Sequence, residues 1–501
     1  MKMTRILSGI ILVAITFTFC ACSSDSDGSK NNETSNTVET TVSDQKAPAI
    51  SELYREREDN LPELNFGGET IRFLTLKNRD MTGEVYNDEI WVEELTSDPL
   101  KDSIYNRNMY VMERFNCKIV DELASASTVS STIEKHFNAD DDVYQIIGYE
   151  AAESLAKSLD GYFCDLNNLD TDYIEFDAPW WSGQFFESIA ADDRVYVLAG
   201  SLSLSMIRSI HATFFNKRIA EDEGVEDLYN VVNEGRWTID YQTELVSNMY
   251  RDLDGSTTKN IGDRFGYATS FYWAVDSYWS AFNLTILSFD DDGRFEFSLN
   301  EEKAYDGFQK IYNLSYGDGA HGENIDDSDV ERMFASGETF MITQKLACAE
   351  TVTFRNMQDD YGIIPMPKFD KKQEEYYSMP YEIFQTYMIP KTCRNTGMAS
   401  AILEALSAET WRKIIPTYSE IVLKGKYLSD PQSRKMFDMI INNTKIDAGL
   451  MYYRRIGEIG SHLYRFPIER NQPENFASNL EKIKRKMPMY VKLLNESVFD
   501  D

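Results

Sequence analysis

The stretch Glu69-Thr-Ile-Arg-Phe-Leu-Thr-Leu-Lys77 constrains the fold more than any other. Ile71, Phe73, Leu74 and Leu76 make it nearly apolar on both faces. Successive strand side chains point to opposite sides, so both faces need cover, which suits a parallel strand between helices. Asp98-Pro99 then supplies a capping side chain and a proline at the first helical position. The helix it opens carries Ile104, Val111, Met112 and Phe115 on one face. Lys118–Val120 reads as a second strand, Ser127–Asn138 as a second helix and Val143–Gly148 as a third strand. Strand, helix, strand, helix, strand is the opening of a doubly wound α/β lobe.

The middle of the chain repeats this grammar. Arg194–Leu198 and Ile210–Asn216 read as strands, followed by a helix over Lys217–Gly224. Trp237-Thr-Ile-Asp240 caps a helix running to about Tyr250, and Lys303–Ser315 and Val330–Ser336 read as helices. Phe340–Thr343 and Tyr361–Ile364 read as strands, Tyr381–Ile389 as a β-rich crossing segment, and the chain from Gly397 as mainly helical. A body of this length is comfortable as two lobes.

The N-terminus sets the compartment. Lys2 and Arg5 precede an apolar run, Ile6–Phe19, too short to span a bilayer, which is the pattern of a secretory signal. Phe19-Cys20-Ala21-Cys22-Ser23 resembles a bacterial lipobox, with Cys22 after the small Ala21 as the acylated residue and Phe19 where leucine is usual. Residues 23–49 are mostly Ser, Thr, Asn, Asp and Glu, with no aromatic side chain. Such a segment cannot bury enough apolar surface to offset its ordering entropy, and reads as a tether. The formal charge of −33 argues against nucleic acid, polyphosphate or anionic lipid as partners. Cys117, Cys164, Cys348 and Cys393 are scattered with no C-x-x-C pair, so they suggest buried thiols rather than a zinc or redox motif.

Several stretches, in order, resemble the maltose-binding-protein-like family of extracellular solute-binding proteins, in particular the lipoproteins of anaerobic Gram-positive bacteria. They are Asp102-Ser-Ile-Tyr-Asn-Arg-Asn108 with Met112-Glu-Arg-Phe-Asn116, Asp142-Val-Tyr144 with Gly161-Tyr-Phe-Cys-Asp-Leu166, and Pro179-Trp-Trp181. Phe214-Phe-Asn-Lys217 and Gly235-Arg-Trp-Thr238 continue the series. The sharpest match is Phe334-Ala-Ser-Gly-Glu-Thr-Phe-Met341 with Tyr361-Gly-Ile-Ile-Pro-Met-Pro-Lys368, and coverage is weakest after Leu423.

The resemblance implies a two-lobed periplasmic-binding-protein-like α/β fold of type II, hinged, with the solute in the cleft between lobes. On that basis 1–21 is a signal peptide, 22–60 the lipidated cysteine and tether, 61–206 with 388–430 lobe I, and 207–387 with 431–501 lobe II. Crossings fall near Ser205–Ala212 and Glu382–Tyr387. The chain is then expected to be a monomeric, non-enzymatic subunit, held on the outer face of the membrane by a palmitate-type lipid, that hands a carbohydrate to ABC permease subunits without a cofactor.

A cleft for a sugar needs aromatic faces for its C–H surface and amides, hydroxyls or carboxylates for its hydroxyls. At segments that the family places near the cleft stand Tyr149 and Glu150, Tyr272 and Trp273, Tyr278 and Trp279, Gln344 and Lys345, and Tyr377 and Tyr381. Pro179-Trp180-Trp181 reads instead as structural. The histidines His136, His211, His321 and His462 form no HExxH pair, and neither a nucleophile elbow nor a phosphate-binding glycine loop occurs. Asp252-Leu-Asp-Gly-Ser256 begins like a calcium loop, but Thr257 stands where an EF-hand needs glycine, so it reads as a surface turn. Asp290-Asp-Asp-Gly293 reads as a hairpin turn. A glycan-degrading enzyme on this scaffold would leave no signature in so acidic a chain. A sensor, or a binder of another solute such as a peptide or polyamine, stays open as well.

Overall fold

A computed structural model describes residues 56–78, 88–191, 194–256, 258–271, 274–381, 383–422 and 431–499. The signal, Cys22, the tether, Tyr272 and Trp273 lie outside the described residues. The apolar stretch at the start of the body forms β1 (Thr70–Leu76), and its neighbours are β2 (Lys118–Ala124) and β3 (Ile146–Glu150). Both pair with β1 in parallel, and β10 (Gln385–Met388) adds antiparallel to β3, giving the order β10-β3-β1-β2.

The helix between β1 and β2 spans Pro99–Phe115. Asp98 accepts from the N–H groups of Leu100 and Lys101, satisfying donors that a helix start leaves open. Asn116, at φ 47°, ends it in the left-handed region. Ile104, Val111 and Phe115 are buried as the periodicity requires. Arg107 and Asn108, at the end of the Asp102–Asn108 stretch, are also buried: they donate to the carbonyls of Glu89 and Ile90, at 2.6 to 3.0 Å, and hold the chain that leads back from β1.

Arg194–Leu198 does not form the strand that its apolar pattern suggests. Leu198 alone makes a reciprocal pair with Tyr387 on the outer edge of β10, at 2.8 and 2.9 Å. The chain then turns away as the Ser201 N–H bonds to the Trp180 carbonyl at 2.7 Å. Gly200 permits that turn, because a Cβ there would lie 2.2 Å from the Trp180 carbonyl oxygen.

The second sheet contains β4 (His211–Asn216), β5 (Phe265–Ala268), β8 (Thr339–Lys345) and β9 (Tyr361–Ile364) in the order β5-β8-β4-β9. Beside it β6 (Leu287–Phe289) and β7 (Phe295–Phe297) form a hairpin, with Gly293 at φ 75° in its turn. Helix Ile239–Val246 begins at Thr238 as expected. The chain beyond β10 is helical, from Thr396–Glu409 to the long helix Asn475–Phe499. No helix among the described residues is long and apolar enough to cross a membrane. Cys117, Cys348 and Cys393 are buried free thiols and Cys164 is a half-buried one.

Two segments join the sheets, and they run side by side. Ile210 bridges antiparallel to Pro380, the His211 N–H donates to the Met379 carbonyl at 3.1 Å, and Tyr381 N–H donates to Ser209 at 3.2 Å. The second crossing therefore falls a few residues earlier than the sequence suggests, because Gln385 is already paired with Glu150 in the first sheet.

Candidate ligand cleft beside the paired crossings

On the first-sheet side the cleft residues stand at the end of β3. Tyr149 and Glu150 are buried; the Tyr149 carbonyl accepts from the Thr386 hydroxyl at 3.1 Å, and Glu150 is paired in register with Gln385. The Gln385 side chain crosses beneath β3, and its Oε1 accepts from the Leu76 N–H at 2.8 Å. Gly148 makes room, since a Cβ there would come within 2.9 Å of the Gln385 amide carbon.

Behind this edge lies Glu89, a carboxyl that sequence reasoning did not single out. Its oxygens accept from the Ser205 N–H (3.0 Å), the Ser205 hydroxyl (3.2 Å) and Gln385 Nε2 (3.0 Å). It thus ties the chain after β1 to both connecting segments. Burial outweighs these donors and the nearby Arg208 and Arg107, pushing the Glu89 carboxyl up to about 8. Three residues along, Arg208 forms a two-pronged pair with Glu350 beyond β8, both bonds at 2.9 Å. The short helix Leu204–Arg208 is therefore held at its start by Glu89 of the first lobe and at its end by Glu350 of the second.

On the second-sheet side, Gln344 and Lys345 end β8 opposite Ala212 and His211. Gln344 Oε1 accepts from the Lys345 N–H at 2.8 Å, and its buried Nε2 has no partner among the described residues. Lys345 faces Asp327 at 3.7 Å. Burial, and then Lys345, push the His211 imidazole down to about 3, so it is neutral at ordinary pH, and its Nδ1 also lacks a partner among the described residues. Tyr381 is buried beside the crossing, and Tyr377 is half-buried with Lys445 Nζ 5.5 Å from its ring centre.

Tyr278 and Trp279 stand elsewhere. Helix Ala274–Ala281 places both inside the lobe, each 1% exposed. The Tyr278 hydroxyl is shared with Tyr267 (2.9 Å) and Thr343 (3.2 Å), while Trp279 packs at 4.7 Å on Tyr464. One turn earlier Asp276 meets Arg465 at 2.8 Å, its carboxyl pushed up to about 6 by burial.

A separate cavity of about 200 Å³ is lined by Trp180, Trp181, Ser201, Ile210, Trp411 and Asn442, among others. It adjoins Gly200 and, through Met206, Ile207 and Ile210, the first crossing, while none of Tyr149, Glu150, Gln344 and Lys345 lines it. Both indole N–H groups of the Trp180-Trp181 pair donate into Glu404, at 3.0 and 2.8 Å. Burial raises that carboxyl to about 7. With their N–H groups engaged, these tryptophans tie the 179–184 loop to helix Thr396–Glu409, the structural role read from sequence. Asp252, Asp254 and Asp263 bring carboxylate oxygens within 4.8 Å of one another, but they accept from the N–H groups of Gly255, Ser256 and Leu253 in their own turn.

No protein-family model and no curated protein sequence matches the chain. Solved structures do. An ABC substrate-binding protein of Listeria monocytogenes in complex with cycloalternan superimposes with TM-score 0.52 at 11% identity, over 84% of this chain and 99% of that one. A maltose/maltodextrin-binding domain of Bdellovibrio bacteriovorus bound to maltotriose gives 0.54 at 11%, over 83% and 99%. A solute-binding protein of Thermotoga lettingae bound with α-D-tagatose gives 0.53 at 12%, over 85% and 100%. These likenesses define the fold: a mixed α/β, two-domain solute-binding-protein architecture. The maltose/maltodextrin-binding domain is one of the proteins with which this chain shares that fold.

Proposed function

We propose that this protein is the solute-capturing subunit of an ABC importer and binds a carbohydrate between its two lobes without chemically altering it. The observation that carries the reading is the pair of adjacent crossings joining two α/β sheets, with polar and aromatic side chains gathered on both sides of them. Gln344 Nε2 and His211 Nδ1 are buried hydrogen-bonding atoms without a partner among the described residues, and sugar hydroxyls can both donate and accept. Tyr149, Glu150, Gln344, Lys345, Tyr377 and Tyr381 line the site in this reading, and Tyr272 and Trp273, outside the described residues, are further candidates for it. Tyr278 and Trp279 brace it from behind. In this reading lobe I is 61–206 with the chain from Gln385 to 430, and lobe II is 207–384 with 431–501, the second boundary following from the pairing of β10 in the first sheet.

Calorimetric titration against mono- and oligosaccharides, polyols, peptides and polyamines tests the substrate class, and mass spectrometry of the recovered ligand tests turnover. Saturable binding of a carbohydrate that is recovered intact is expected. Binding of a peptide or polyamine alone would overturn the substrate class, and steady release of shortened glycans would make the chain an enzyme. The lipid anchor is a separate reading carried by Ala21-Cys22. Cys22→Ser is expected to move the protein from the membrane fraction to the medium, and retention of the variant in the membrane would refute it.

A further inference from the structure

Away from the crossings, a strap at residues 446–458 also reaches from one lobe to the other. It is rooted in the second lobe: Asp447 accepts from the Ile286 N–H at 2.8 Å, and the Tyr452 ring meets Phe295 of β7 at 5.3 Å. Its far side touches the first lobe. Arg455 donates to the Ala156 carbonyl (2.8 Å) and to Asp160 (2.7 Å), and Arg454 pairs with Glu153 at 2.5 Å. The Tyr452 hydroxyl donates to the Ile189 carbonyl at 3.2 Å, and Ser188 donates to the Ile446 carbonyl at 2.7 Å.

The placement of the two arginines relative to the cleft is informative. Helix Ala151–Leu159 begins immediately after Glu150, so Glu153 sits in its first turn beside the candidate site. Asp160 closes its other end, where open carbonyls and the helix dipole favour a cation. The strap therefore lies along the helix that carries the cleft edge. Opening the lobes about the Ser209–Tyr381 contact has to separate these groups, because hydrogen bonds and ion pairs reach only a few ångströms.

Exposure distinguishes this contact from the buried clamp at the crossing. Arg208 and Glu350 are 8% and 14% exposed, and pulling them apart leaves a charge poorly solvated. Arg454 and Glu153 are 47% and 22% exposed, and Arg455 and Asp160 are 36% and 47% exposed. Water can take over both arginines when they separate, so these two ion pairs can form and break reversibly, unlike the buried Tyr452–Ile189 bond.

We infer that Arg454 and Arg455 form an electrostatic latch that holds the lobes shut over a ligand seated between Glu150 and Gln344, and so set its affinity. This rests on the binding reading above. The test uses the full chain carrying Arg454→Glu with Arg455→Glu, titrated with whichever carbohydrate the unaltered chain binds. At low salt an affinity loss on the order of tenfold is expected, since each exposed pair contributes a few-fold and reversal adds repulsion. The loss should shrink in high salt. Adding Glu153→Arg and Asp160→Arg in the same chain restores the pairs with opposite sense and should restore affinity. Unchanged affinity in the double reversal, or a fully folded charge-swapped chain that stays weak, overturns the latch. Should the double reversal not fold, Arg454→Gln with Arg455→Gln replaces it, with a few-fold loss expected and no loss overturning the latch. Should no carbohydrate bind the unaltered chain, the functional reading fails, and the latch is judged by small-angle scattering of the ligand-free protein. An expanded particle on reversal that contracts on swapping supports it, and an unchanged radius refutes it.

Discussion

Glu89 is the place where a single atom exchange tests the electrostatics of the crossings. Burial holds its carboxyl at about 8 against an ordinary value near 4.5. The folded state therefore keeps a proton that the unfolded state has released between those two values. A group whose folded value is raised contributes stability that is present below about 4.5 and lost as pH rises through about 8. The slope is about 1.4 kcal/mol per pH unit. Glu89→Gln mimics the protonated acid, keeps an acceptor for Ser205, and removes this dependence. Near pH 5 the variant should lie within about 1 kcal/mol of the unaltered protein. By pH 7 it should be the more stable of the two by about 2 kcal/mol. Glu89→Ala instead strands the Ser205 N–H and Gln385 Nε2, and should cost about 2–5 kcal/mol at every pH. Urea unfolding followed by near-ultraviolet circular dichroism from pH 5 to 8 reads all three. Other raised carboxyls, among them Asp447 and Glu404, tilt every curve alike, so the difference between curves is the measurement. A Glu89→Gln chain that grows less stable relative to the unaltered protein as pH rises would mean that Glu89 is ionised against Arg208, and the reasoning fails.

Glu404→Ala removes the acceptor of two buried indoles, and a loss of about 2–4 kcal/mol is expected in chemical denaturation, with a shift in tryptophan emission. Gly200→Ala drives a Cβ into the Trp180 carbonyl, and a loss of at least about 2 kcal/mol is expected by the same assay, whereas Gly183→Ala, in open space, should cost less than about 1 kcal/mol. Trp279→Ala should lower stability by about 3–5 kcal/mol and leave intrinsic ligand affinity largely intact. Gln344→Met should do the reverse, holding the melting temperature while weakening carbohydrate binding about tenfold, as read by thermal shift and titration on the same samples.

How much of the molecule was legible depended on whether a signal was local. The two-faced apolarity around Phe73 and the Asp98-Pro99 cap are properties of adjacent residues, so the α/β lobe and its first helix follow from the chain alone. Tyr361–Ile364 and the Asp290–Gly293 turn were equally local. The Arg194–Leu198 segment was not: its pattern suits a strand, but it makes only isolated bridges, Arg194 to Ala191 and Leu198 to Tyr387, before the chain turns to reach Trp180. Aromatic side chains were the least decidable, because composition cannot tell a sugar-stacking face from a packing face. Tyr278 and Trp279 went inside when helix Ala274–Ala281 turned them toward Tyr267, Thr343 and Tyr464. Glu89 was hidden among many carboxylates, and only tertiary structure set it between Ser205 and Gln385, residues distant in sequence. What the sequence determined was therefore the elements and their order. Which polar groups meet at the crossings was decided by long-range closure of the chain, since burial and hydrogen-bond partners belong to the neighbourhood and not to the residue.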